Sequence, residues 1–305
     1  MKKRGGKMRV RSLIGVLLVL VMLSSVMSPV MAKPTKTGIT KNLSPSDLID
    51  MKEINKYLES MSKEEIKKKY EEAVRKANEQ YEKAVKKQDE LVKMIVKSKK
   101  KFADNEINTL SVRSGYYHSD PTADGGTADH GGWGVGYSDA YINGNEIHVF
   151  SRAWVAGSYW ATGRVWDVFT YNAPSHWCKI TINYYLRGLL LGTWVPSNPP
   201  YPGWFETRID VYLRVYDHTE NREVVKKKIF SDEISSIAGK KWYDEIKSGY
   251  VYTYLKKGHK YTIELIGEVK SNAQLMAICY SDFHSQQFNG EWRFIKWSND
   301  VVEWS

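Results

Sequence analysis

Hydrophobic positions along this chain change their spacing near residue 101. Between residues 62 and 101 they recur every three or four positions, as Ile66, Tyr70, Ala73, Ala77, Tyr81, Ala84, Leu91 and Ile95, with Gln88 continuing the series. That is the period of one helix face. One extra four-residue step, from Ala77 to Tyr81, is a stutter in a coiled-coil repeat. Ser62 and Glu65 have the separation of a capping box, and no glycine or proline follows until well past Lys101. A shorter set (Leu48, Ile49, Met51, Ile54, Tyr57 and Leu58) follows Ser44 or Ser46 as cap. Residues 45–101 are therefore predicted as a helical arm, after a linker over 33–44.

The seam of this helix is thin, since three of its positions are alanine. Charge adds support. Seven acid-first i,i+4 pairs, including Glu72/Lys76 and Asp89/Lys93, each contribute about 0.2–0.5 kcal/mol. The expectation is a spacer arm or a coiled coil that self-associates through residues 62–101. A helix folded back on the short first helix, or on the β domain, is the alternative.

Beyond Lys101 the period falls to two. "GRVWDVFTY", "CKITINYYL" and "RIDVYLRVYD" alternate aromatic or β-branched residues with polar ones. "DAYINGNEIHVF" carries Asn143-Gly144 between two such runs, a strong hairpin signal. "YVYTYLKKGHKYTIELIGEV" predicts a second hairpin around Gly258, and "EWRFIKW" a late strand. One weak helical stretch, "SDEISSIAGKKWYDEIK", interrupts them. Many strands without βαβ alternation predict a mainly β domain over 102–305, an antiparallel β-sandwich of jelly-roll-like form. The stretch "LKKGHKYTIEL" resembles the sandwich modules of secreted prokaryotic proteins, a likeness of architecture that names no family.

Charge is uneven. The chain's net +10 suggests a nucleic-acid or anionic-membrane partner, yet residues 102–305 hold more acids than bases. That excludes a nucleic-acid face there. Residues 1–32 hold six basic residues and no acid: Lys2, Lys3, Arg4, Lys7, Arg9 and Arg11 precede the apolar run "LIGVLLVLVML" and then Val30-Met31-Ala32. This predicts a cleaved signal peptide, an extracellular or cell-surface location, and no stable transmembrane span after cleavage. Export makes a Cys178–Cys279 disulfide one reading, with two buried thiols as the other.

Catalytic signatures are missing: no G-x-S-x-G elbow, H-E-x-x-H or phosphate loop occurs. Glu264 and Glu268 share a strand face, but the alternation assigns them to solvent, so no residue is taken as catalytic. Binding has more support. Trp194, Tyr201 and Trp204 surround a proline-rich loop, a candidate stiff platform. Tyr250, Tyr252 and Tyr254 share one strand face. The doubled "TADGGTADHGG" segment offers Asp120, Asp124 and Asp129 in a glycine-rich loop, a possible calcium site, although its spacing matches no calcium loop and a slack connector is the simpler expectation. No other cofactor is expected. The functional reading is a secreted or surface protein that binds carbohydrate or cell-envelope polymer. An extracellular glycan hydrolase or lyase, or a structural surface-assembly protein, is the alternative.

Overall fold

The computed structural model describes residues 60–98, 115–118, 123–194, 203–284 and 293–304. The signal segment, the linker, the short first helix, Asp120 and Tyr201 lie outside the described residues. Among the described residues one helix, α1 (Lys63–Ser98), precedes nine strands: β1 (Gly115–His118), β2 (Gly125–Asn143), β3 (Glu146–Tyr171), β4 (His176–Trp194), β5 (Trp204–Asp217), β6 (Arg222–Ser235), β7 (Gly239–Leu255), β8 (His259–Phe283) and β9 (Phe294–Trp304). Every pairing between them is antiparallel. The fold is mainly β, as the period-two alternation predicts.

Two layers emerge from the pairings. β2, β3, β8, β5 and β6 form one, and β7, β4, β9 and β1 form the other. They are hydrogen-bonded where Leu189–Trp194 of β4 meets Asp282–Ala277 of β8. The long strands reach both layers through a shared corner. Register shifts occur between Gly134 and Gly136 and between Trp154 and Val155, and Val155 and Leu275 take positive φ. Strands that switch layers need such bends. Glycine is required at this corner: a Cβ on Gly134 would lie 1.9 Å from the Ala156 carbonyl oxygen, and one on Gly157 2.0 Å from that of Val135.

Inward positions fill the space between the layers. Val165 and Phe169 of β3, Ile180 and Ile182 of β4, Val211 and Leu213 of β5, Ile263 and Leu265 of β8, and Trp297 of β9 belong to one buried cluster. The Asn143-Gly144 hairpin forms between β2 and β3, with Gly144 at φ 59°. The hairpin around Gly258 is corrected: Gly258 (φ 78°) turns the chain from β7 to β8, but β7 pairs with β4 and β8 with β3 and β5, so the two strands enter different layers. The "SDEISSIAGKKWYDEIK" stretch is corrected: it is the end of β6, a turn and the start of β7. Pairing of Gly239–Lys247 with β4 outweighs its weak helical pattern.

The helix takes the folded-back alternative. α1 lies on the outer face of the first layer and buries Ile66, Ala73, Ala77, Ala84, Gln88, Val92 and Val96 there. The predicted seam is corrected at its end: Leu91 is exposed, and Val92 and Val96 take the buried positions. Val92 and Val96 pack with Trp166 and Val168, while Ala77 and Ala84 pack with Trp160. The alanines that make a thin coiled-coil seam are the gaps that admit an indole. The capping box forms as predicted: Glu65 N donates to Ser62 Oγ at 3.2 Å, and Ser62 N to Glu65 Oε2 at 2.7 Å. Glu72 and Lys76 close at 2.7 Å. Asp89 does not take Lys93; its Oδ1 accepts from Arg164 (2.6 Å) and Arg214 (2.7 Å) of the sheet.

Candidate ligand-binding face

The first layer's outer face is covered by α1, but no described element covers that of the second. Alternation decides what it shows. In β4 the even positions Cys178, Ile180, Ile182 and Tyr184 are buried, which turns Trp177, Lys179, Thr181 and Asn183 outward. In β7, Val251, Thr253 and Leu255 are buried, so Tyr250, Tyr252 and Tyr254 face the same way.

Register aligns the two rows. Trp177 is opposite Tyr254, Lys179 opposite Tyr252 and Thr181 opposite Tyr250. On the far side of β4, Lys179 is opposite Glu303 and Asn183 opposite Asn299. Trp177 is 64% exposed, Tyr252 63%, Tyr250 47% and Tyr254 42%. Ring centres are 6.0 Å apart for Trp177 and Tyr254 and 5.6 Å for Tyr250 and Tyr252, both edge-to-face. Such pairs restrain one another's rotamers and so preorganise the surface.

Polar groups frame the rings. Lys179 Nζ lies 3.0 Å from Glu303 Oε2, a contact that raises the lysine's pKa. Asn183 Nδ2 donates to Asn299 Oδ1 at 2.9 Å. Lys227 of β6 donates to the Tyr250 carbonyl at 3.1 Å, and its ammonium stands 4.8 Å from the centre of that ring. Tyr185 donates to Asp244, which raises the phenol's pKa. Further along β7, Ile246 and Trp242 are also exposed. The result is a long ledge of apolar ring faces edged by amides, ammoniums and carboxylates. Flat ring faces accept the C–H face of a sugar, and the flanking groups accept or donate to its hydroxyls.

The three tyrosines named from sequence are therefore brought together. Trp177 and Lys179 join them, and sequence reasoning missed both. The signal was present, because Trp177 has the parity of the polar positions of β4.

Trp194 and Trp204 of the proline-rich loop each have a ring partner. Trp204 packs edge-on against Tyr70 of α1 (5.9 Å), while Trp194 packs on Phe205 (5.9 Å) and donates Nε1 to the Gly203 carbonyl. Trp194 keeps 42% of its surface exposed.

The glycine-rich segment is strand, not loop. From Gly125 onward it pairs residue by residue with β3. Asp124 precedes the strand and accepts from Val168 N at 2.8 Å; Asp129 accepts from His130 N at 2.9 Å. The two carboxylates thus have separate backbone partners. Another trio does converge: Asp217, Glu220 and His259. Their oxygens are already engaged, Asp217 Oδ1 by the amides of Thr219 and Glu220, and the Glu220 carboxylate by Arg222 and Lys256.

Cys178 and Cys279 are free buried thiols, which corrects the disulfide reading. Register explains it. Cys279 pairs with Gly192 of β4, fourteen positions along that strand from Cys178. At strand rise that is on the order of 40 Å, against a Cα separation below about 7 Å in a disulfide. Glu264 is corrected too. It is buried beneath α1, with Oε2 at 3.3 Å from Arg164 and 3.4 Å from Arg214.

No protein-family model matches the chain, and no curated protein sequence matches it. Among solved structures it is similar to the enzymatically active domain of tailspike protein 4 of bacteriophage CBA120, at 10% identity and TM-score 0.20 over 50% of this chain. It is similar to carbohydrate-binding modules of the β-sandwich superfamily at 12% identity and TM-score 0.18, over 64% of this chain and 60% of that one. It is also similar to the family 11 carbohydrate-binding module of Clostridium thermocellum at 10% identity and TM-score 0.16, over 56% of this chain and 91% of that one. The chain spans 19% of the tailspike chain. These superpositions are loose and transfer no residue.

Proposed function

We propose that this is an exported binding protein whose sandwich holds an extended glycan or other cell-envelope polymer against the aromatic face of β4 and β7. One observation carries the reading: Trp177, Tyr250, Tyr252 and Tyr254 stand outward in a single field of exposed rings. Large contiguous apolar surface left bare on a folded domain marks an interaction site. From Trp242 to Tyr254 the ledge runs roughly 40 Å at strand rise, a length suited to a polymer rather than a single sugar. Export is part of the proposal and rests on the basic and apolar pattern of residues 1–32.

The test is a panel of immobilised soluble and insoluble glycans, including peptidoglycan. Retention on at least one, lost in Trp177→Ala/Tyr252→Ala, is the expected outcome. A second reading is lateral assembly between copies, favoured by Ile246, a 77% exposed aliphatic side chain that offers a sugar no ring face. Under that reading Ile246→Lys abolishes association in sedimentation, and no glycan is retained.

A further inference from the structure

A recess lies between the middle of α1 and the outer face of the first layer. It holds about 230 Å³, room for one compact body of about a dozen non-hydrogen atoms and not for a run of polymer. Tyr81 of α1 and Trp160 of β3 meet edge-to-face on its wall, with 5.4 Å between ring centres, and Tyr212 of β5 adds a third ring. Trp160 is 3% exposed, and its indole N–H has no hydrogen-bond partner among the described residues.

Charged groups of both signs share this space. Arg208 of β5 is opposite Lys270 of β8, and Asp210 is opposite Glu268. Like charges placed directly opposite one another destabilise a strand pair, so each needs an answer nearby. Arg208 lies 3.6 Å from Glu206 and 3.4 Å from Asp210. Asp210 also accepts from Ser231 at 2.6 Å, Lys228 at 2.9 Å and the Tyr212 hydroxyl. These contacts take the roughly four acceptor sites of a carboxylate. Glu268 is less occupied: it accepts from the Tyr81 hydroxyl and has Lys226 at 3.8 Å. Lys270 donates to Asn78 of α1 at 2.8 Å, which uses one of the donors of an ammonium. Burial, then the Arg208 charge, lower the pKa of Lys270, and Glu206 acts against them. Glu268 and Lys270 therefore keep capacity to accept from and donate to a ligand.

We propose that this recess binds a single neutral sugar unit, with Glu268 accepting from its hydroxyls, Lys270 donating to them and the three rings giving apolar contacts. Charge selects against ions. A ligand of either net charge meets a like charge here, acids at Asp210 and Glu268 or cations at Arg208 and Lys270. A hydroxyl both donates and accepts, which suits so mixed a lining. The site is on the opposite side of the sandwich from the aromatic face of β4 and β7, so the two readings fail separately.

The experiment titrates the full chain by saturation-transfer NMR with glucose, galactose, mannose and N-acetylglucosamine, and with glucose 6-phosphate and serine as charged and zwitterionic controls. At least one neutral sugar is expected to bind more tightly than both controls. Glu268→Gln, which keeps the side chain's shape, weakens it at least about tenfold. Asn78→Trp fills the mouth of the recess from an exposed helix position and abolishes binding. Both variants keep melting temperatures within the range of surface substitutions, and Trp177→Ala/Tyr252→Ala binds the free sugar like the parent. No binding of any neutral sugar, or binding that survives Asn78→Trp, overturns the site, as does a loss confined to Trp177→Ala/Tyr252→Ala. Tighter binding of either control overturns the ligand class, and an unaltered affinity in Glu268→Gln overturns the role of that carboxylate.

Discussion

Asp167 is buried between the two layers and holds its proton at neutral pH. Burial, then the charge of Asp300, then a hydrogen bond with Asp124, push its pKa up to about 9. Unfolded, the same group titrates near 4. Folding therefore takes up a proton between those values. The contribution of Asp167 to stability is complete below about pH 4, falls as pH rises, and is exhausted above about pH 9. His148 has the opposite sign: burial holds its pKa near 4, so its contribution is complete above about pH 6.5 and is lost on acidification toward pH 4. Asp167→Asn, which mimics the protonated carboxyl, flattens the alkaline limb of a melting-temperature profile and raises the melting temperature at pH 8 by about 5 °C. An unchanged alkaline limb contradicts this. Asp124 was visible in the sequence as a candidate ligand. Its pairing with Asp167 was not, because 43 positions separate them in the chain and only the β2–β3 register brings them together.

The helix is the element whose role was least legible. Its existence, its capping box and its period all read directly from the chain. Its destination did not, because a seam of alanines is compatible with a coiled coil and with a sheet that supplies the large residues. Trp160 and Trp166 supply them here. Polar docking was hidden for the same reason: Glu264 has solvent-face parity, and only a covering helix makes that face interior. Arg164 joins α1 to the first layer, donating to Gln88 and Asp89 of α1 and to Glu264 below. Arg164→Met strands part of that charge and is expected to cost about 3 kcal/mol, with the amides of α1 losing hydrogen-exchange protection first. A loss below about 0.5 kcal/mol in denaturant unfolding contradicts this account of the helix. The strand alternation was legible throughout, and it already assigned Tyr250, Tyr252 and Tyr254 to one face. It lacked the register that sets Trp177 beside them.

Among the described residues, the sandwich has one outer face covered and the other bare. Deleting residues 1–101 uncovers Trp160, Trp166 and the Arg164–Glu264 pair. The remaining chain is expected to bind hydrophobic dye and to aggregate, and a soluble product with the parent melting temperature contradicts the layered arrangement. The bare face predicts the reverse response, since its rings contact solvent and their loss costs the fold little. The most direct test is quantitative binding of the full chain to the glycan it retains best, alongside Trp177→Ala/Tyr252→Ala and a control, Trp194→Ala, at the other aromatic cluster. The expected result is at least a tenfold loss of affinity in the double variant, about 1.4 kcal/mol, with its melting temperature unchanged and the control binding like the parent. Glycan binding that survives the double variant, or falls equally in the control, contradicts the assignment of the binding site to this face.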